Sequence, residues 1–494
     1  MKRVIVFLFF LSLHICIHGQ VKIGEFKHTL NTNDQKKIKG SFSVVNKTNG
    51  NIATFISDKK NIYAYLTNEE LKVERQLQFK KKKKYRGVVG KLYDSDNKFT
   101  FIVSNTSVTD FGIIEFDFKK DTVTFNKDNF NSKGLTLLQN INQKDKSHLL
   151  FLKKNTSKLI LRTYANNKEA INTTFDLKQE KLLISEHKET TLSNLLFNIL
   201  YNDYTITKIQ SFDYATNNNE IANTIQPVSV ETAAEFTKLY SDENNITIVF
   251  DKNKFYTQIL NLDLTKGTHT LKKIKKPLFS VAGSKKISNS FLYDDFLFIA
   301  SASRKNVAID IHNLKTNQLV KKLTLDNTKA ITFKNTPIVI KGKTYKNQPD
   351  NRLSKLFFKK IFYGDLGIAV AKQSEDFIIT LGGKKPATLH NPMMSLKMGD
   401  NVSIYAVNNY RGFLDPHSYV LNSIKNQKST YIKGIYDRNF TLIDTSIETT
   451  VYEKINDFIK RNKNQENSHV FEYNKKMIYS FYNTESNVYK FLAF

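Results

Sequence analysis

The densest chemistry-bearing stretch of the chain is Lys80, Lys81, Lys82, Lys83 and Lys84, followed by Tyr85 and Arg86. Consecutive ammonium groups with a phenol and a guanidinium behind them suit a polyanion, whose charges the cations meet while Tyr85 offers a stacking face. Against this stands the ordinary use of a lysine run, a hydrated loop between strands. A second candidate lies in 386–417, which holds Met393, Met394 and Met398 and then Tyr410, Arg411 and Phe413. Flexible thioethers and aromatic rings make an adaptable surface for a partner. The same stretch also reads as an insertion packed locally against a neighbouring helix.

Other chemistry is thinly represented. None of His14, His18, His28, His148, His187, His269, His312, His390, His417 and His469 forms HExxH, HxH or a pair at helical spacing. There is no GxSxG, no GxxxxGK[ST], and no GxGxxG after a strand. Gly382-Gly383-Lys384-Lys385 reads as the exit of a hairpin before Pro386 rather than an anion nest. Asp94-Ser95-Asp96-Asn97 opens like a calcium loop, but the glycine and distal glutamate are missing, so it reads as a turn. No metal and no cofactor is expected, and no catalytic residue is assigned.

The N-terminus places Lys2 and Arg3 before an apolar run from Val4 to Leu13 and ends in Gly19-Gln20. That is the pattern of a secretory signal peptide over 1–19, too short to span a membrane. Cys16, the single cysteine, lies inside it behind the bulky Ile15, a poor setting for lipidation. Cleavage after Gly19 leaves no thiol chemistry in residues 20–494. It also removes Lys2 and Arg3, so the formal charge falls from +29 to +27. A balance this basic favours anionic neighbours, although a Lys- and Asn-rich composition without Trp also follows from codon bias.

The elements that must position any site show self-similarity. Runs starting at Ala53, Phe99, His148, Ile246 and Phe296 each give four or five apolar residues, a polar turn and an alternating strand. The starts are 46, 49, 98 and 50 residues apart. The doubled interval predicts one degenerate copy near 195–225. A four-stranded unit at this period is the spacing of propeller blades, in which each twisted sheet is covered on both faces by its neighbours. The expected fold is all-β, a β-propeller of about seven four-stranded blades with six to eight allowed. Insertions are expected at about 327–362 and 386–463 of a single domain. Leu353 to Phe362 is an amphipathic helix candidate, and a second helix is expected over 446–463 with Thr445 and Glu448 as its capping box. Terminal hairpin strands suit closure of the ring by the two chain ends.

The stretches ISDKKNIYAYL, KKKKKYRGVVGKLY, KNVAIDIHNLKTNQLVKKLTL and FKNTPIVI resemble secreted propeller-like proteins of flavobacteria. That resemblance implies export and brings no activity to any residue. The functional expectation is an exported, monomeric, non-catalytic binding or scaffold protein of the cell envelope. Its partner would be a protein or glycan, anionic in character, with no specific nucleic acid and with room for peripheral membrane association. The alternative is a carbohydrate-active propeller enzyme with carboxylates at the central channel. An outer-membrane barrel fits less well, because the strands are short and flanked by charge.

Overall fold

The computed structural model describes residues 20–28, 38–85, 87–143, 145–198, 205–206, 209–213, 228–278, 286–331, 334–340, 343–345, 351–384, 416–425 and 428–494. Among the described residues lie seven sheets of four or five strands. In chain order they occupy 40–80, 87–128, 135–176, 237–275, 287–326, 338–436 and 465–493, here blades 1 to 7. In blade 1, Gly40–Val45, Ile52–Ser57, Asn61–Thr67 and Val73–Lys80 pair in succession, all antiparallel. Ile52 to Ile56 are all buried, whereas the outer strand buries only Leu77 and Phe79. This gradient follows from radial packing. The middle strands are sandwiched on both faces and read as continuous apolar runs, while the outer strand alternates.

Neighbouring blades share their cores. Phe55, Phe99, Phe101 and Phe116 join blades 1 and 2, and Leu150, Leu161, Ile248 and Leu260 join blades 3 and 4. The ring closes through the chain ends. Blade 7 takes Val21–Lys27 as its fourth strand, antiparallel to Val488–Ala493. Tyr482 secures the junction by donating to the His28 carbonyl at 3.2 Å and to Asn487 at 2.8 Å.

The long interval between blades 3 and 4 corrects the expected extra copy. Its described residues form no blade, because blades 3 and 4 already pack directly on each other. Instead they supply a hairpin of Leu182–Leu183 with Glu189–Thr190, a short helix Leu192–Leu196, and a strand Ile209–Asp213. That last strand adds to the inner edge of blade 4 in parallel with Thr237–Ser241. Blade 6 is also irregular. Its outer strands Ile338–Ile340 and Lys343–Tyr345 come first, and the helix Asn351–Phe362 then leads the chain inward to Asp365–Gln373.

The C-terminal helix runs over Val451–Arg461, later than the pattern implied. Its capping box is Thr450 with Glu453, not Thr445 with Glu448. The reason is competition: Gln373 donates to the Ser446 carbonyl and accepts from the Glu448 N–H, holding that stretch against blade 6. With the helix Pro416–Lys425, it covers the face of blade 7 formed by Val470, Met477, Tyr479 and Phe481.

A charge cluster stitches blades 4, 5 and 6 together. Lys238, Asp251 and Lys276 have no exposed side-chain surface, and the carboxylate lies 3.3 Å from Lys238 Nζ and 3.5 Å from Lys276 Nζ. Thr257 and Ser290 hydroxyls each donate to Asp251 at 2.7 Å. Lys276 also donates to the Asp251 and Asn253 carbonyls and to Ser288. Lys238 donates to the Glu235 carbonyl and to Asn289, whose amide reaches the Leu366 carbonyl of blade 6 at 2.8 Å. Burial opposes the Asp251 charge, but the two ammonium groups overcome it and hold the carboxyl below its usual range. Burial likewise pushes Lys276 down to about 8.

Two stability predictions follow from these buried groups. Asp251→Asn strands two buried ammonium groups without a counter-charge and should cost about 3–5 kcal/mol in denaturant unfolding; a loss near zero would show that the cluster is not what joins the blades. Burial also pushes His28, His148 and His417 down to about 4. The unfolded chain then binds more protons below a histidine's usual value of about 6.5. Stability is therefore intact above that value and lost as pH falls towards about 4, which should appear as a urea midpoint lower at about pH 5 than at about pH 7.

Candidate cationic clefts

The inner strands of all seven blades start from one face of the ring, here called the entry face. The opposite face carries mostly tight turns, such as Asp117–Thr122 and Asp263–Thr268, which have Asp121 and Gly267 at positive φ. The connections between blades emerge on the entry face, as do the turns between second and third strands. That is where the chain has room to build a site.

The helix Pro416–Lys425 lies along the inner strand of blade 7, where Ser418 accepts from the Val470 N–H at 2.8 Å. The short helix Val230–Ala233 sits on blade 6 at Gly367 and Gly382, where a Cβ would come within 2.9 Å of the Val230 carbonyl and 3.0 Å of its side chain, respectively. The inner strands bring Asp365, Glu466 and Glu472 to their ends. Among the described residues no three His, Cys, Asp or Glu side chains group to hold a metal.

Off the axis, two open clefts lie side by side. The wider, of about 1010 Å³, is bounded by the turn Asn155–Lys158, by Asp176, Lys178 and Glu180, by the hairpin of the inserted segment, and by Lys252. The narrower, of about 500 Å³, lies between Thr109 and Asp110, the loop from Lys127 to Leu135, and Lys154. The inserted segment makes the outer wall of the wider cleft. Leu192, Leu195 and Leu196 root that wall by burying fully in the core shared by blades 3 and 4, and Ser157 accepts from the Leu192 N–H at 3.0 Å.

Charge bookkeeping separates these clefts from ordinary surface. In the wider cleft Asp176 pairs with Lys158 at 2.7 Å, Glu180 with His269 at 3.3 Å, and Glu189 with Lys181 at 3.6 Å. Lys178, Lys188 and Lys252 line the same space and, among the described residues, have no ion-pair partner. In the narrower cleft Arg162 grips Asp128 with two nitrogens, at 2.7 and 3.1 Å, and Tyr164 donates to the same carboxylate. Asp110 pairs with Lys84 and accepts from Tyr85. Among the described residues Lys127, Lys133 and Lys154 have no ion-pair partner, although Lys127 acts on Asp110 at longer range. Burial alone pushes Lys252 below the usual lysine range.

The lysine run is placed on the same face but is largely spoken for. Lys81 donates to the Asp58 carbonyl at 2.6 Å, Lys82 lies over Phe125, and Tyr85 packs on that ring. Lys84 pairs with Asp110, Lys80 ends a strand, and Lys83 is exposed. Arg86, Met393, Met394, Met398, Tyr410, Arg411 and Phe413 lie outside the described residues, as does the segment 1–19. Lys384 closes a strand and pairs with Glu235 at 2.8 Å.

No family model matches the chain, and no curated protein matches it. Among solved structures it is similar to an ACO/RPE65 chimera, at a TM-score of 0.25 and 11% identity, over 56% of this chain and 58% of that one. A mutant and the cobalt-substituted form of Synechocystis apocarotenoid oxygenase match over the same shares, at 0.26 and 9%. The chain thus spans less than two thirds of these structures, and so distant a likeness brings no oxygenase chemistry to it. These structures are nonetheless enzymes. The expectation of a non-catalytic binding or scaffold protein is corrected on that finding.

The anchoring of the cleft wall is open to test. Leu195→Ala removes a fully buried side chain and should cost about 2–5 kcal/mol. Proteolysis should then cut first within 182–196, and an unchanged cleavage pattern would mean that the wall is held by other contacts.

Proposed function

We propose that the wider cleft is the substrate site of an exported enzyme acting on a hydroxyl-rich polyanion, an acidic glycan. The observation that carries this reading is the pairing pattern: the carboxylates lining the cleft are held by Lys158, Lys181 and His269, whereas among the described residues Lys178, Lys188 and Lys252 have no ion-pair partner around one space. Three such cations concentrate an anionic chain by attraction that persists while they stay hydrated. Asn155, Thr156, Ser157, Thr190, Thr191 and Asn194 supply amides and hydroxyls matched to sugar hydroxyls. Among the described residues that line the wider cleft there is no aromatic ring for base stacking, the usual means of holding single-stranded nucleic acid.

Lys252 is the group placed to move a proton. It is half-buried, lacks an ion-pair partner, and is shifted by burial towards the neutral amine that can accept one. Glu180 and Glu189 face the same space, held by His269 and Lys181.

The test is titration of the purified chain with alginate oligomers, and with neutral dextran as control, over a series of salt concentrations. Acidic oligomers should bind and dextran should not. The triple variant K178A/K188A/K252A should bind more weakly with a shallower salt dependence, as expected when counterion release is reduced. Wild type should also shorten the acidic polymer, and Lys252→Met should retain binding of oligomers while losing most turnover. Equal binding of dextran, or a salt dependence unchanged in the triple variant, would sink the reading.

A further inference from the structure

Resting on that reading, we infer that the narrower cleft is a second subsite for the same acidic chain, so that the protein grips long polyanions across blades 2, 3 and 4 and favours them over short ones. Three observations join the clefts into one track.

The first is their common wall. The turn between the second and third strands of blade 3 contributes Lys154 to the narrower cleft and Asn155, Thr156, Ser157 and Lys158 to the wider one. The turn is tied on both sides. The Lys154 N–H donates to the Gly134 carbonyl in the loop bounding the narrower cleft, at 3.0 Å. On the other side, the Leu192 N–H donates to Ser157 in the wall of the wider cleft. Thr156 closes the turn by donating to the Lys153 carbonyl at 2.7 Å, and Asn155 takes the positive φ that this tight reversal requires. The saddle between the clefts is thus rigidly built, and a flexible chain can lie over it without moving the protein.

The second is the sign of the floor. Both carboxylates of the narrower cleft are neutralised from behind: Asp128 by the Arg162 fork and Asp110 by Lys84. The Arg162 guanidinium also covers Phe130, 4.6 Å from the ring centre, so the ring already has a cation on one face. An anionic chain therefore meets Lys127, Lys133 and Lys154 without an opposing bare carboxylate. Here the lysine run finds a part. Lys84 acts through Asp110, setting the charge of the cleft from behind.

The third is continuity of charge. Among the described residues Lys127, Lys133 and Lys154 on one side and Lys178, Lys188 and Lys252 on the other have no ion-pair partner, and the saddle carries Lys154 between the two groups. Two linked weak sites on one ligand give an affinity well above either alone, because the second contact is made at high effective concentration.

The experiment is a length ladder of alginate oligomers measured by calorimetry on wild type and on K127A/K133A/K154A, with near- and far-ultraviolet circular dichroism confirming that both are folded. Wild type should bind long oligomers about tenfold or more better than short ones, and the variant should lose that gain while holding short oligomers as before. A length gain that persists in the variant overturns the second subsite and leaves the wider-cleft reading standing. Failure of wild type to hold acidic oligomers of any length defeats both. Single-stranded oligothymidine of matched charge is the competitor: if it displaces the long glycan at equal charge concentration, the commitment to a glycan is overturned. K154A alone, which touches only the saddle, should show a partial loss confined to the longer oligomers, and an equal loss for short ones would count against the inference.

Discussion

A four-stranded twisted sheet with two apolar faces cannot stand alone in water, and everything else in this molecule follows from that. Each blade is covered by the one before and the one after, so the array has to close on itself or expose two raw faces. Closure falls to the strand Val21–Lys27, which leaves the chain's start to complete the last blade. Phe26, Tyr489 and Phe491 on that blade meet Tyr63 and Tyr65 of blade 1, and a joint built of large rings buries much apolar area at little entropic cost. Where helices intervene, as on one face of blade 7, they do the same covering by other means.

Closure also explains why charge is taken into the interior. Between blades 4, 5 and 6, the turn after Asn245–Phe250 and the segment before Thr237–Ser241 leave carbonyls that need donors. Lys238 and Lys276 reach those carbonyls while sharing Asp251, which turns a costly set of buried charges into a fully bonded knot. The knot holds three blades in register near the entry face, and the two clefts stand on the neighbouring blades of the same face. The strand Ile209–Asp213 extends the inner edge of blade 4, while the inserted segment between blades 3 and 4 raises a wall at the side.

The blade strands were legible in the sequence because their signal is local. Ala53, Phe99, His148, Ile246 and Phe296 all fall at or beside the starts of second strands, where burial on both faces forces a continuous apolar run. The interval of 98 residues was misleading for the same reason. Arithmetic on a period cannot tell a degenerate blade from an insertion of similar length, and the packing of Leu150 and Leu161 on Ile248 and Leu260 leaves no space for another sheet. The helix cap moved from Thr445 to Thr450 because Gln373, distant in the chain, competes for the Ser446 and Glu448 backbone.

Of the functional surface, the sequence determined the excess of cations, since that depends on composition alone. It offered Lys80 to Lys84 as a candidate because proximity along the chain is all that a sequence displays. Only the tertiary structure decided which lysines are free. Lys81 and Lys84 are engaged by the Asp58 carbonyl and by Asp110, whereas Lys127, Lys133, Lys154, Lys178, Lys188 and Lys252, spread over three blades, are left facing two clefts. The physical reason is that a charge acts through what it is not paired with, and pairing is settled by distances across blades rather than by spacing along the chain.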